Sequence, residues 1–515
     1  MNRLNEILRE EIIQFREDGH KFLNKELNVA QFKGISGGLG VYAHRGGKEF
    51  MIRLKTPSGR ISKEDLCKIY EWANRYNLEW VHPTTRQAIQ LHGLGIDDVC
   101  DIMEEALEYG IYTRGSGGNF PRNVAISPLS GVEKNEAFDV TPYAEELNKH
   151  IMKKVYTYKL PRKIKAAMST NIEDAPHVTS TDLGFLAVNK DGEKLFKVYL
   201  AGGLGRNPRL SIEYDELIKA EDVLYHFEAM KNLFIAEGDY ENKNKARIRY
   251  IADRMGNEEF IKCYKKHLEE VKSQDLKIHV KETEIIKKGI KTEIKDNRLI
   301  EQKQDGLYSV YFHPIGGILK MQDLKSIIDA TKDMDYVDFR LSLKEGIFIR
   351  NLNGKEAELL LELTKGKGGE LKIMQSVSCI GVPICQMGLR NSQGLLKSIL
   401  DKLSNEKIDK DLLPLVNISG CQNSCGVHEI GIIGFAGKTK RVNDAPKNCF
   451  ELHVNGSFEV GSARLGKYYG DMVEEEIPNF IYDLYLELEK ANLNFESWYC
   501  DNTEKFNNVA KKYLV

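Results

Sequence analysis

The feature that most constrains this chain is that it repeats itself. At an offset of 258 positions the stretch beginning at Ser58 falls on a later one, with Gly59 on Gly317, Asp65 on Asp323, Leu66 on Leu324, Ile89 on Ile347 and Leu94 on Leu352. Both copies read as a glycine turn, an amphipathic helix and an alternating strand. At an offset of 250, KAAMSTNIEDAPHVTSTDLGFLA from Lys165 falls on LVNISGCQNSCGVHEIGIIGFAG from Leu415, with Ser169 on Ser419, Gly184 on Gly434 and Phe185 on Phe435. Asn171 and Ala175 fall on Cys421 and Cys425, so only the second copy carries thiols there. A duplicated α+β architecture with pseudo-two-fold symmetry follows.

The two copies fit a chain of 515 residues, long enough for three or four domains at roughly 150 residues each. Between the copies lie helical stretches, EDVLYHFEAMKNLFIAEGDY and NKARIRYIADRMGNEEFIKCYKKHLEEV, with apolar residues at three- and four-residue steps. Lys243, Lys245, Arg247 and Arg249 read as one solvated face. The lysine-rich KSQDLKIHVKETEIIKKGIKTEIKDNRLIEQKQDG reads as a connector between the halves. Seventy-four Lys and Arg against 76 Asp and Glu leave a net charge of −2, which argues against a bulk grip on nucleic acid or an anionic membrane. No apolar run approaches the roughly 20 residues of a membrane span, and MNRLNEILREEIIQFREDGH lacks the apolar core of a signal peptide. A cytoplasmic location is expected.

Nine cysteines, an odd number, fit a reducing compartment rather than a disulfide framework. Cys67, Cys100, Cys263, Cys449 and Cys500 are scattered and read as packing thiols. The other four form two pairs. Cys379 and Cys385 flank a loop shaped by Gly381 and Pro383, and Cys421 and Cys425, four apart, share one face of a helical turn between Gly420 and Gly426. Four thiolates on two loops can hold zinc or an iron–sulfur cluster, and the wide first gap favours the cluster.

Basic residues recur in apolar strands. Arg53 and Lys55 lie two apart in FMIRLKTPSG, Arg86 heads TTRQAIQLHG, and Arg122 follows a glycine turn in GGNFPRNVAISP. Lys163 and Lys165 share one side of YKLPRKIKAAMST, with Arg162 facing away. Any one of these could be a protected sheet edge; together they point to a concave site for a strongly anionic ligand. His92 and His428 nearby read as satisfied polar groups. GGLGVYAHRGG and AGGLGRNP do not meet the dinucleotide fingerprint, so a redox enzyme of this sequence takes its electrons from another protein.

The cysteine pairs, with TTRQ, PRNV and LPRKIK in that order, closely resemble the sirohaem- and [4Fe-4S]-containing sulfite and nitrite reductases. The resemblance runs from about Gly34 to beyond Gly456. It implies ferredoxin-like half-domains at 34–110 and 291–370 and cofactor-binding α+β domains at 111–290 and 371–515, after an N-terminal helical segment, 1–33, that has no readable motif. It implies that Cys379, Cys385, Cys421 and Cys425 bind the cluster, and that Cys425 also bridges to the sirohaem iron. Arg86, Arg122, Lys163 and Lys165 would face the substrate and, with Arg53 and Lys55, the eight carboxylates of the sirohaem. The expected reaction is a six-electron reduction fed by a ferredoxin-like donor. Lys165 resembles the sulfite branch and Ser424 the nitrite branch; Lys165 faces substrate and is weighted more, which makes sulfite to sulfide the expected reaction and nitrite to ammonia the alternative. A reading of another class is a non-catalytic iron–sulfur or zinc scaffold.

Overall fold

The computed structural model describes residues 3–281 and 285–515, so part of the connector lies outside the described residues. The described chain forms four five-stranded sheets in two matched pairs.

The first pair is the ferredoxin-like one. One sheet runs Val41–Ala43, Phe50–Lys55, Ala88–Leu94, Trp80–Pro83, then Leu319–Lys320. Its counterpart runs Leu299–Glu301, Leu307–Phe312, Ile347–Asn353, Asp338–Leu341, then Arg60–Ile61. The two copies exchange their shortest strand, with Leu319 opposite Val81 and Ile61 opposite Phe339. Each swapped strand follows a tight turn in which two successive residues take positive φ, Ser58 (56°) and Gly59 (69°) in one copy and Gly316 (60°) and Gly317 (70°) in the other. Glycine is favoured there because a Cβ at Gly317 would sit 2.7 Å from His82. Helices Lys63–Arg75 and Met321–Thr331 follow, the first capped by Ser62, whose side chain accepts from Asp65 N. Their apolar faces and both sheets share one core, which includes Trp72, Leu66, Leu324 and Phe339.

The second pair carries the chemistry. One sheet orders Ile212–Lys219, Glu193–Leu200, Leu183–Lys190, Ala166–Ser169 and Ala125–Ile126; the other orders Val377–Ser378, Val416–Ser419, Ile433–Val442, Ala445–Val454 and Lys467–Val473. In both, three strands are parallel and the rest antiparallel. The segments after Ser169 and Ser419 have the same course: paired turns, a short 3-10 helix (Val178–Ser180 or His428–Ile430), then a long strand. The repeat read from the sequence is therefore a repeat of structure.

One expectation changes. The long helical stretch after residue 243 is two helices, Ile248–Met255 and Asn257–Val271, broken at Gly256, whose φ is 82°. The N-terminal segment is a helix, Arg3–Leu23, that buries Leu8, Ile12, Phe15 and Phe22 in the ferredoxin-like core. Among the described residues no helix is long and apolar enough to cross a membrane.

Candidate active site

The two cysteine loops start at the ends of neighbouring parallel strands. Cys379 follows Val377–Ser378 and donates its N–H to Ile418 O (3.1 Å), while its sulfur accepts from Gly420 N–H (3.1 Å) and lies 3.3 Å from Ser392 Oγ. Cys385 N–H closes a turn onto Gly381 O (2.7 Å). Cys421 and Cys425 follow Val416–Ser419. They lie on successive turns with Ser424 and Val427 at positive φ, not on the helical turn that their spacing predicts. Gly426 fits this bend because a Cβ there would meet Ile418 O at 2.2 Å.

Burial pushes the thiols of Cys379, Cys421 and Cys425 up, and each is pushed further by neighbouring cysteines of the set. The two cysteine loops are neighbours, since the strands they leave pair in parallel. Among the described residues no group of three or more His, Cys, Asp or Glu side chains is arranged to hold a metal ion. Two adjoining loops with two cysteines each can supply the four thiolates that a cubane takes.

The first copy closes over these loops. Thr85 Oγ1 donates to Cys425 O (2.9 Å), and Arg45 donates to Ile384 O (2.9 Å) and Gly388 O (2.6 Å). Gly205 N–H donates to Glu429 Oε1 (2.8 Å), so the glycine-rich AGGLGRNP, which lacks the dinucleotide pattern, brackets the second cysteine loop.

The basic residues gather on that same side. Arg86 is held by Asn123 O (3.0 Å) and Ala166 O (3.2 Å), with its Nε unpaired, and burial lowers it to about 10. Arg122 donates to the carbonyls of Gly115, Gly117, Gly118 and Phe120, so it folds the glycine turn before it. Lys163 and Lys165 sit just ahead of the strand Ala166–Ser169, and no protein acceptor meets either ammonium among the described contacts. Burial, with Arg86 and Arg247 adding repulsion, lowers Lys165 to about 7. Burial, with Lys165, Arg247, Arg122 and Arg162, pushes Lys163 far below the usual ammonium range. Lys55 Nζ reaches Met152 Sδ (3.3 Å), and burial beside Arg122 lowers it to about 7. Arg53 donates to Ser116 O (2.9 Å) and faces the ring of Tyr42 at 5.7 Å.

These groups meet the thiols at one residue. Burial and Cys385 raise the Cys425 thiol, and the positive charges of Lys163, Lys165 and Arg53 draw it back down.

The charge run after residue 242 is not one solvated face. Arg247 is buried and pairs with Asp182 through both carboxylate oxygens (3.0 and 2.8 Å), and Arg249 is buried against Arg206 O (2.6 Å) and Leu204 O (3.3 Å). Both keep an unpaired Nε. Arg162 does not face away: its charge acts on Arg122 and Lys163, and it donates to Asn119 Oδ1 (3.2 Å). The available sequence signal was that Arg247 and Arg249 lie two apart at the start of an apolar helix, where surface charge alone has no need of arginine. Of the two histidines, His428 meets Ser419 Oγ through Nδ1 (3.0 Å), but its buried Nε2 has no hydrogen-bond partner, so it is only half satisfied.

Unpaired ammoniums and guanidinium nitrogens, beside four thiols, suit a polycarboxylate tetrapyrrole over an iron–sulfur cluster. Residues 42–109 match the family model of the nitrite/sulfite reductase ferredoxin-like half domain, and residues 117–272 that of the nitrite and sulphite reductase 4Fe-4S domain. Both matches fall on the first copy, and the four cysteines lie beyond them. The chain is 24% identical to an assimilatory ferredoxin-dependent nitrite reductase of Haloferax mediterranei, over 95% of this chain and 89% of that one. It is 27% identical to the chloroplastic ferredoxin–nitrite reductase of Arabidopsis thaliana (84% and 75% covered). It is 24% identical to a sulfite reductase (NADPH) hemoprotein beta-component of Staphylococcus epidermidis (87% and 82%). The solved NirA protein of Mycobacterium tuberculosis superposes with a TM-score of 0.77 at 22% identity, covering 93% of this chain and 92% of that one, and so shares the fold. With both halves of the duplication built alike, the first copy carries the two domains of the nitrite and sulfite reductases, and the chain as a whole is similar to members of that family.

Proposed function

We propose that the protein reduces sulfite to sulfide by six electrons, drawn one at a time from a ferredoxin-like protein. The observation that carries this reading is that the two cysteine loops leave adjoining parallel strands and meet the basic first copy there, where Thr85, next to Arg86, donates to Cys425 O (2.9 Å). Cys379, Cys385, Cys421 and Cys425 would hold the cluster, with Cys425 shared with the sirohaem; Arg53, Lys55, Arg86, Arg122, Lys163 and Lys165 would meet the sirohaem carboxylates and the substrate anion. Bound there, the cofactors supply an iron for the anion and a path for single electrons.

The residues do the rest. Arg86 presents a half-buried positive charge, fixed by two backbone carbonyls, to a small oxyanion. Burial and the neighbouring cations bring Lys165 to about 7, and an anion bound beside Nζ would raise it and hold there the proton needed as oxygen leaves as water. Arg247 and Asp182 keep the backbone of Lys165 in place, since Asp182 Oδ2 also accepts from Lys165 N–H (2.9 Å).

Nitrite to ammonia is the second reading. Ser424, whose hydroxyl hydrogen-bonds Glu429, is its support, together with relatives named for nitrite. The scaffold reading has no use for two ammoniums without acceptors. The test is Cys425→Ser against Cys263→Ser in the purified enzyme. Loss of the cluster and of its coupling to the haem in the first variant alone supports the reading; normal activity in Cys425→Ser overturns it.

A further inference from the structure

Arg53 reaches the pocket from the strand Phe50–Lys55, and what stands behind it is a chain of polar groups leading to the surface. With its carbonyl oxygen turned to the guanidinium, Gln90 accepts from Arg53 Nη2 (2.6 Å) and Nε (3.0 Å), and its amide nitrogen donates to His92 Nε2 (3.2 Å). The opposite orientation would set an amide NH2 against a cation that has only donors. His92 Nδ1 lies 3.2 Å from His44 Nε2, and His44 Nδ1 lies 3.3 Å from Glu49 Oε2, a carboxylate at the surface.

Each link fixes the next. A neutral imidazole has one donor and one acceptor nitrogen. Because His92 Nε2 accepts from Gln90, its proton is on Nδ1 and is donated to His44 Nε2. His44 then carries its own proton on Nδ1 and donates it to Glu49. Burial keeps both rings below the usual histidine range, and His82 adds to this at His92, whose other face is against Trp80. The chain is one-way, from the cation to the carboxylate.

It leaves Arg53 aimed. Of its five N–H groups, Nε and one on Nη2 go to Gln90 and one on Nη1 goes to Ser116 O. One N–H on each Nη has no protein acceptor among the described contacts, the pair that a carboxylate can take together.

We infer that Gln90, His92, His44 and Glu49 form a directional hydrogen-bond chain that orients Arg53 to bind a carboxylate in the pocket, which makes Gln90 a positioning residue. The carboxylate class rests on the sirohaem reading; the direction of the chain does not. Two measurements on the full-length holoprotein separate them. In protein labelled with 15N at histidine, His44 and His92 are both expected as the Nδ1–H tautomer; an Nε2–H proton on His92 would overturn the chain. Gln90→Leu, which removes the acceptor, is expected to loosen sirohaem about tenfold, read as the rate of its loss from the protein. Gln90→Glu keeps an oxygen for Arg53 and is expected to hold sirohaem within about threefold of the parent. Equal loss in both variants would show that the site needs glutamine only for packing and would overturn the positioning role. Should Gln90→Leu fail to fold, Gln90→Glu and the tautomers still decide.

Discussion

Asp182 is a carboxylate set among the cations of the pocket, and its removal tests directly how those cations are held. It is fully buried, takes two hydrogen bonds from Arg247 and one from the backbone of Lys165, and its charge acts on Arg86. Asp182→Ala leaves Arg247 buried with no counter-charge, beside Lys163, Lys165 and Arg86. Breaking a buried ion pair from one side costs about 3–5 kcal/mol. At about 2–4 °C per kcal/mol for a unit of 150–250 residues, the melting point of the unit holding it is expected to fall by about 6–20 °C. Removing both charges is a different perturbation, because a buried pair replaced by apolar groups is often close to neutral. Asp182→Ala/Arg247→Met is therefore expected to recover most of the loss. The assay is thermal unfolding of cofactor-free protein followed by circular dichroism. A fall of under about 2 °C in Asp182→Ala, or a double variant no better than the single, would refute the reasoning.

Three other outcomes follow from the same geometry. Lys165→Asn is expected to lower turnover of sulfite more than that of nitrite, and equal losses on both would remove Lys165 as the specificity residue. Lys55, lowered from 10.5 to about 7, binds its proton in the unfolded chain across a range where the folded chain has released it, so stability rises with pH from about 7 to 10. Cofactor-free Lys55→Met is thus expected to melt well above the parent at pH 7 and to lose that lead towards pH 10; a lead independent of pH would contradict the buried ammonium. Gly426→Ala, whose Cβ would sit 2.2 Å from Ile418 O, is expected to distort the second cysteine loop and lower the iron content, while Gly34→Ala, with nothing within 4 Å, keeps full iron; equal iron in both would contradict the close approach at Gly426.

The duplication was legible because helix and strand patterns survive when few identities do. Positive φ at Gly59 and Gly317, and the shared course after Ser169 and Ser419, are the physical form of those sparse matches. The exchange of Arg60–Ile61 and Leu319–Lys320 between sheets was not legible, since two residues carry no periodicity and a partner strand leaves no mark on them. Arg86, Lys163 and Lys165 stood out as cations in apolar strands. Arg247 and Arg249 did not, because they follow Lys243 and Lys245 in a run whose first half is exposed, and only the carboxylate of Asp182, 65 residues earlier, gives Arg247 its reason to be inside. The four-residue step from Cys421 to Cys425 reads as one face of a helical turn, whereas the segment is built from turns with Ser424 and Val427 at positive φ, which four-residue spacing does not reveal.

The central claim is that the thiol cluster and the basic pocket form one cofactor site that reduces a small oxyanion. The most direct measurement pairs the visible absorption spectrum of the purified protein with steady-state rates on sulfite and nitrite, using reduced methyl viologen as donor. The account expects a sirohaem spectrum and a higher kcat/KM for sulfite; the same spectrum with nitrite preferred would retain the site and transfer specificity to the features around Ser424. A colourless protein holding zinc and reducing neither anion would contradict it.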